Sequence, residues 1–176
     1  MVCLFYMTDI VSGFPPIIQS GFEPVCLVLG TAPSVKSLEK QQYYGHPQNA
    51  FWWIMSELFS FELSADYQQR KQSLIEANIA VWDVLASCER PGSLDSDIKA
   101  KTEVANPIVE LLENYPSIKA IACNGGKSYA LLKKHFPPLF DGEGEYEIYQ
   151  LPSTSPAYAK ISRKEKLKRW SIIKSI

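Results

Sequence analysis

The chain has 176 residues, enough for one domain with a substantial buried core. Its 18 Lys and Arg against 19 Asp and Glu leave a net charge of −1, which excludes a global field that would draw the whole protein onto nucleic acid or membrane. The four cysteines (Cys3, Cys26, Cys88, Cys123) form no CxxC pair, so no metal site is expected, and a reduced cytoplasmic compartment is the plain reading.

In chain order, residues 1–12 are apolar but lack a basic leader region and a small-residue cleavage site. They are read as a terminal extension to a single domain over 13–176. No run reaches the ~18 apolar residues of a membrane span. "VCLVLG" (25–30) is the first expected strand, and "GTAPS" (30–34) follows it. The stretch "YYGHPQNAFWWI" (43–54) then crowds aromatic and polar side chains around one proline. Its second half starts a helix: Phe51, Ile54, Met55, Leu58 and Phe59 recur at helical spacing. A second helix is expected over 66–78, and a strand over "IAVWDVL" (79–85). Residues 86–105 show no clear pattern, and so long a connection points to function.

A helix over 106–115 is expected to open with Asn106 as its cap and Pro107 in the first turn. "IKAIACNG" (118–125) is the third strand, "KSYALLKKHF" (127–136) a helix after a Gly-Gly turn, and "YEIYQLPS" (146–153) the fourth strand. "SRKEKLKRWSIIKS" (162–175) closes the chain as a helix, with Ser162 and Glu165 spaced as a capping box. Each strand is nearly continuous in apolar residues, which suits burial on both faces of a parallel sheet. Strands alternating with helices give a three-layer α/β/α sandwich around a four-stranded, mainly parallel sheet.

Ligands of such sheets sit beyond the carboxyl ends of the strands. That rule selects "GTAPS", the turn after "WDVL", "NGGKS" (124–128) and "PSTSPA" (152–157). "NGGKS" ends like a phosphate-binding loop, but Ile121 stands where that pattern needs its first glycine. It remains either a tight turn into a helix or a turn that aims Asn124 at a pocket. "PSTSPA" offers hydroxyls and N–H groups that can grip a phosphate, or it is an ordinary turn before a helix. From Tyr158 to Ile176 it is followed by Lys160, Arg163, Lys164, Lys166, Lys168, Arg169 and Lys174 against the single acid Glu165. That basic face suits a nucleic-acid backbone, although its lysines could equally be solvated. His135 is read as a surface or cap residue. Asp83 is read as tying down the 86–105 segment rather than acting as a base.

Four pieces occur in order at the strand ends: "VLGTAPSVKSLEKQQYYGHPQNAFWWI", "WDVLASCERPGSLDSDI", "CNGGKS" and "LPSTSPA". Together, over about residues 13–174, they resemble the hypoxanthine-DNA (deoxyinosine) glycosylase family, family 6 of the uracil-DNA glycosylase superfamily. "HPQNAFW" is also similar to the mismatch-specific uracil-DNA glycosylases. The resemblance implies a base-flipping enzyme that hydrolyses the N-glycosidic bond of a deaminated base in damaged DNA, without a cofactor and as a monomer. The mismatch-specific relatives carry an asparagine in their first motif, where this chain has Ala32. In the hypoxanthine branch catalysis passes to the asparagine that maps onto Asn49, with Asn124 as the second catalytic position. Tyr44 maps onto the aromatic that stacks on the base. Gly30, Thr31, Ala32 and His46 are the further expected base contacts. Ser34, Ser153, Thr154, Ser155, Pro156 and Lys160 are expected on DNA. His46 either polarises the base, contacts phosphate or is bonded within its loop.

An asparagine can orient a water and hydrogen-bond the base, but it cannot take a full proton. Hypoxanthine presents a carbonyl acceptor beside a ring N–H, and so does uracil. Adenine reverses that order, so rejecting it needs an amide or N–H whose direction is fixed. No amine nucleophile is expected in the crevice, hence no lyase step. The alternatives are a uracil- or mismatch-specific glycosylase, a non-catalytic binder of damaged DNA, and a small-molecule phosphate binder using "NGGKS".

Overall fold

The computed structural model describes residues 9–142 and 145–176. In chain order the elements are β1 (Ile10–Ser12), β2 (Cys26–Gly30), α1 (Val35–Lys40), α2 (Phe51–Phe59), α3 (Tyr67–Glu76), β3 (Ile79–Asp83) and β4 (Leu85–Glu89). Then come β5 (Val104–Ala105), α4 (Ile108–Asn114), β6 (Ala120–Asn124), α5 (Gly126–His135), α6 (Pro138–Asp141), β7 (Glu147–Leu151) and α7 (Arg163–Trp170). A 3₁₀ turn over Ser171–Ser175 extends α7.

Four strands form one fully parallel sheet in the order β3-β2-β6-β7, flanked by helices as the expected three-layer sandwich. All residues of β2, β3 and β6 are buried, as their continuous apolar runs require. The strand β7 departs from that expectation. It is an edge strand in which only Leu151 is buried, whereas the other edge strand, β3, is bridged at Val81 by Ile17.

The long segment 86–105 is not an irregular loop. After Asp83 the chain stays zipped to the turn after β2, with Val84 N–H donating to Gly30 O at 2.9 Å and Leu85 N–H to Thr31 O at 3.1 Å. It then enters a small antiparallel sheet, β1-β4-β5, broken by two 3₁₀ turns at Asp95–Asp97 and Ala100–Thr102. The end of the expected extension, Ile10–Ser12, supplies the edge of that sheet; residues 1–8 lie outside the described residues.

Two expected caps also differ. Asn106 does not cap α4, which starts at Ile108; its side chain instead donates to the main-chain oxygen of Asp83 at 2.8 Å. Ser162 does cap α7, accepting from Glu165 N–H at 3.1 Å. The Glu165 carboxylate accepts from Arg169 Nε at 2.9 Å, so the capping box stays half made.

The core helix α2 buries Phe51, Trp52, Ile54, Met55 and Leu58. The indole of Trp170 is fully buried and donates to Pro152 O at 2.9 Å, so α7 holds the turn that leaves β7. Ser128 in α5 donates to Leu29 O at 2.9 Å, tying that helix to β2. Cys26, Cys88 and Cys123 are buried and free, and burial pushes the first and last thiols up to about 12.

Candidate active site

The carboxyl ends of β3, β2 and β6 stand side by side, so Asp83, Gly30 and Asn124 form one row across the top of the sheet. A cleft of about 270 Å³ opens above that row. Its floor and walls include Gly30, Thr31, Ala32, Ser34, Tyr44, Asn49, Asn124, Ser153, Thr154 and Ser155, which are ten of the residues expected from sequence. His46 is not among its walls; its Nδ1 accepts from Gln48 N–H at 3.1 Å within its own turn. Pro156 and Lys160 are exposed outside the cleft.

The turn before α2 is built to aim two side chains. Trp52 Nε1 donates to Tyr43 O at 2.8 Å, and Gly45 N–H donates to Ser37 Oγ at 3.1 Å. Between these anchors Tyr44 sits at φ 53°, a left-handed conformation that costs a non-glycine residue energy and is found where structure enforces it. One face of the Tyr44 ring stacks on Phe51, with centroids 4.0 Å apart. Its hydroxyl is buried, and burial followed by the nearby Asp83 raises its pKa well above the usual phenol range.

Asn49 stands one residue before the last residue that leads into α2. Its Oδ1 accepts from Phe51 N–H at 3.0 Å, satisfying one orphan donor of the helix start. The carbonyl end of the amide is therefore engaged by the helix, which fixes Nδ2 as the free, donating end. Asn49 thus offers N–H groups to the cleft more readily than an acceptor.

Asn124 is pinned more completely. Its Nδ2 donates to Thr154 Oγ1 and its Oδ1 accepts from Thr154 N–H, both at 2.9 Å. Thr154 O in turn accepts from Ala50 N–H at 2.9 Å, so the two asparagine-bearing segments meet on one threonine. Thr154 is 1% exposed. Expected on DNA from sequence, it is turned inward, because its hydroxyl and N–H are both used to hold Asn124. The turn "NGG" permits this approach. Gly125 has φ 104°, and a Cβ there would lie 3.0 Å from the Ser153 Cβ.

Ser34 is likewise committed locally: its hydroxyl caps α1, accepting from Ser37 N–H at 3.2 Å. The hydroxyls of Ser153 and Ser155 accept from Ser155 N–H and Ala157 N–H, both at 3.2 Å within their own turn. Lys166, expected as part of a basic face, is 5% exposed and donates through Nζ to Ser155 O at 3.1 Å. Burial lowers its pKa.

Three charged residues on the cleft wall were not among the expected site residues. Arg90 is 3% exposed, bonded to Pro33 O and 3.4 Å from Asp95 Oδ1. Thr31 Oγ1 donates to the other Asp95 oxygen at 3.1 Å. Asp83 lies on the floor, and burial, only partly opposed by Arg90, pushes its carboxyl up to about 7. The one sequence signal for Arg90 and Asp95 was their place in the long segment after "WDVL". Among the described residues, no three His, Cys, Asp and Glu side chains gather where a metal ion could be held.

The uracil DNA glycosylase superfamily model matches residues 20–174. A hypoxanthine DNA glycosylase of Methanosarcina barkeri is 35% identical over 160 residues, covering 90% of this chain and 94% of its own. One from Methanosarcina acetivorans is 36% identical over 152 residues, covering 86% and 90%. The solution structure of a candidate uracil DNA glycosylase from Methanosarcina acetivorans superposes with a TM-score of 0.76 at 32% identity, covering 94% of this chain and 96% of that one. With Asn49 and Asn124 lining a cleft at the carboxyl ends of a parallel sheet and similarity along nearly its whole length, the chain belongs to the uracil DNA glycosylase superfamily, in the branch that holds the hypoxanthine DNA glycosylases.

Proposed function

We propose that the protein is a monofunctional DNA glycosylase that releases hypoxanthine from deoxyinosine in damaged DNA. The observation that carries this reading is the pinned Asn124 amide. With one N–H and one lone pair spent on Thr154, one of each remains for a base. They occur in a fixed order, because the amide cannot turn over without breaking both bonds. A carbonyl acceptor beside a ring N–H fits that order, and the reversed edge of adenine does not.

The other residues supply the rest of the reaction. Tyr44, backed by Phe51 and lining the cleft, is assigned to stack on the extruded base. Asn49 donates to the base as the C1′–N bond lengthens and negative charge gathers on the leaving group. The sugar develops oxocarbenium character in the same step, by analogy with other glycoside cleavages. The turn Gly30, Thr31 and Ala32 lines the base. His46 and Ser34 are assigned to its approach. Ser153, Ser155, Pro156 and Lys160 meet the DNA backbone, continuing into the exposed lysines of α7. The enzyme acts as a monomer in the cytoplasm, with residues 13–176 as its glycosylase domain.

Uracil presents the same edge as hypoxanthine, so a uracil-releasing activity is the second reading. Oligonucleotides carrying inosine, uracil or xanthine, each single- and double-stranded, decide between them. Faster release of hypoxanthine than of uracil supports the proposal; the opposite order favours the second reading. Tight binding of inosine DNA without base release would make the protein a non-catalytic binder. Products of strand cleavage trapped by borohydride would contradict the monofunctional assignment.

A further inference from the structure

Hydrolysis of the C1′–N bond consumes one water, and that water must lose a proton. Neither Asn49 nor Asn124 can accept it, since an amide is not a base near neutral pH. Asp83 ends β3 on the cleft floor, beside Gly30 in the sheet register. It is 3% exposed, and its Oδ2 has no hydrogen-bond partner. Buried carboxylate oxygens are normally satisfied, so an orphan one on the floor of a ligand cleft points to a partner that arrives with the substrate.

The structural role expected from sequence falls to another atom of the same residue. The main-chain oxygen of Asp83 ties down the following segment through Asn106, and the carboxylate takes no part in that bond. Asp95, the other carboxylate on the wall, is already engaged by Thr31 and Arg90. Gly30 leaves the room that Asp83 occupies: a Cβ there would lie 2.3 Å from Asp83 Oδ1.

We propose that Asp83 is the proton acceptor of the hydrolysis, its free carboxylate oxygen taking the proton of the water that adds to C1′. This inference rests on the glycosylase reading. In the step, the C1′–N bond breaks and its electron pair leaves on the base. The water oxygen bonds to C1′, and one water proton passes to Asp83. The base anion, held by the Asn49 N–H groups, is then protonated from solvent.

Burial, eased by Arg90 and reinforced by Asp95, pushes the Asp83 carboxyl up to about 7, which suits proton transfer near neutrality. The titratable and charged groups around it are Arg90 and Cys88 from the β4 segment, Asp95 from the 3₁₀ turn, Tyr43 and Tyr44 from the turn before α2, and Tyr67 from α3. Burial raises the thiol and the three phenols, so they stay neutral across this range. Asp95, also raised by burial, is the one neighbour that must be separated from Asp83.

The test is single-turnover release of hypoxanthine from an inosine duplex between about pH 5.5 and about pH 8.5, for the wild type, Asp83→Asn and Asp95→Asn. The wild-type rate is expected to rise through about pH 7 and then level off as Asp83 ionises. Asp83→Asn is expected to lose about 10²-fold or more and to lose the inflection. Asp95→Asn is expected to keep the rise at a lower pH, because the charge that lifts Asp83 is gone. A flat or falling wild-type profile overturns the proposal. So does an Asp83→Asn variant that keeps the wild-type rate or keeps its inflection. If that variant does not fold, the wild-type profile and the Asp95→Asn displacement decide alone. If the wild type releases no base from inosine, uracil or xanthine DNA, the glycosylase reading fails and takes this inference with it. If it cleaves, the Asp83→Asn result bears on Asp83 only.

Discussion

Asn124 and Thr154 hold each other through two hydrogen bonds of 2.9 Å, one from each end of the amide. The pair closes a ring between the end of β6 and the turn after β7, and it fixes which way the amide faces. Thr154→Val removes the acceptor for Asn124 Nδ2 and leaves the backbone bond. The rate of hypoxanthine release is expected to fall about tenfold, the value of one typical hydrogen bond, and Thr154→Ser is expected to restore it. Equal single-turnover rates for Thr154→Val and wild type would remove the pinning from the mechanism.

Asn49 separates a structural from a chemical role. Its Oδ1 accepts from the first N–H of α2, that of Phe51, while its Nδ2 is left to donate. Asn49→Ala loses both, so it is expected to cleave about 10²–10³-fold more slowly and to lose about 1 kcal/mol of stability. Asn49→Asp keeps an acceptor for Phe51 N–H and places a negative charge at a helix start, so its melting temperature is expected to hold. Its activity is still expected to fall as far as that of Asn49→Ala, because the donor is gone. Melting curves and single-turnover rates on both variants check this.

Gly30→Ala tests the packing of the cleft floor. The new Cβ would lie 2.3 Å from Asp83 Oδ1 and 3.0 Å from Tyr44 Oη, and both groups are buried with little room to retreat. Activity is expected to drop by about 10²-fold or more, the scale of losing a positioned catalytic group. Circular dichroism is expected to show an intact fold; near-wild-type activity would mean that neither side chain needs its present position.

Asp83 is expected to cost stability at neutral pH. Its carboxyl is pushed up to about 7 in the folded protein against an ordinary 3.8, so the folded state binds the extra proton between those two pH values. Stability from this group is full below the unfolded pKa and is lost as pH rises through the folded one. Asp83→Asn is therefore expected to melt higher than wild type at about pH 8, by about 4 °C or more, and level with it near about pH 4. Scanning calorimetry at both pH values checks the sign.

Lys166 anchors the turn expected on DNA through its bond to Ser155 O. Lys166→Met keeps the buried stem and removes the donor. The KM for substrate DNA is expected to rise about tenfold with kcat little changed, as for lost positioning at a binding surface. A fall in kcat at constant KM would place Lys166 in the chemistry instead.

The sequence by itself determined the sheet and the strand ends above which the cleft opens. Continuous apolar runs could be stable only as strands covered on both faces, and this set β2, β3 and β6. Short polar turns at strand ends singled out the turns that carry Gly30 and Asn124, the resemblance to a known family added Asn49, and all three line the cleft. Tertiary structure alone decided the direction of each amide, because a side-chain hydrogen bond depends on partners far along the chain: Thr154 lies thirty residues from Asn124. It also turned Thr154 inward, buried Lys166 under a loop rather than in solvent, and folded 86–105 into a small sheet through pairing with Ile10–Ser12. Asp83 shows the limit most plainly. Sequence placed it at a strand end, but only the packing of Gly30, Tyr44 and Arg90 around it left a buried carboxylate oxygen without a partner, and local residue order carries no record of such a vacancy.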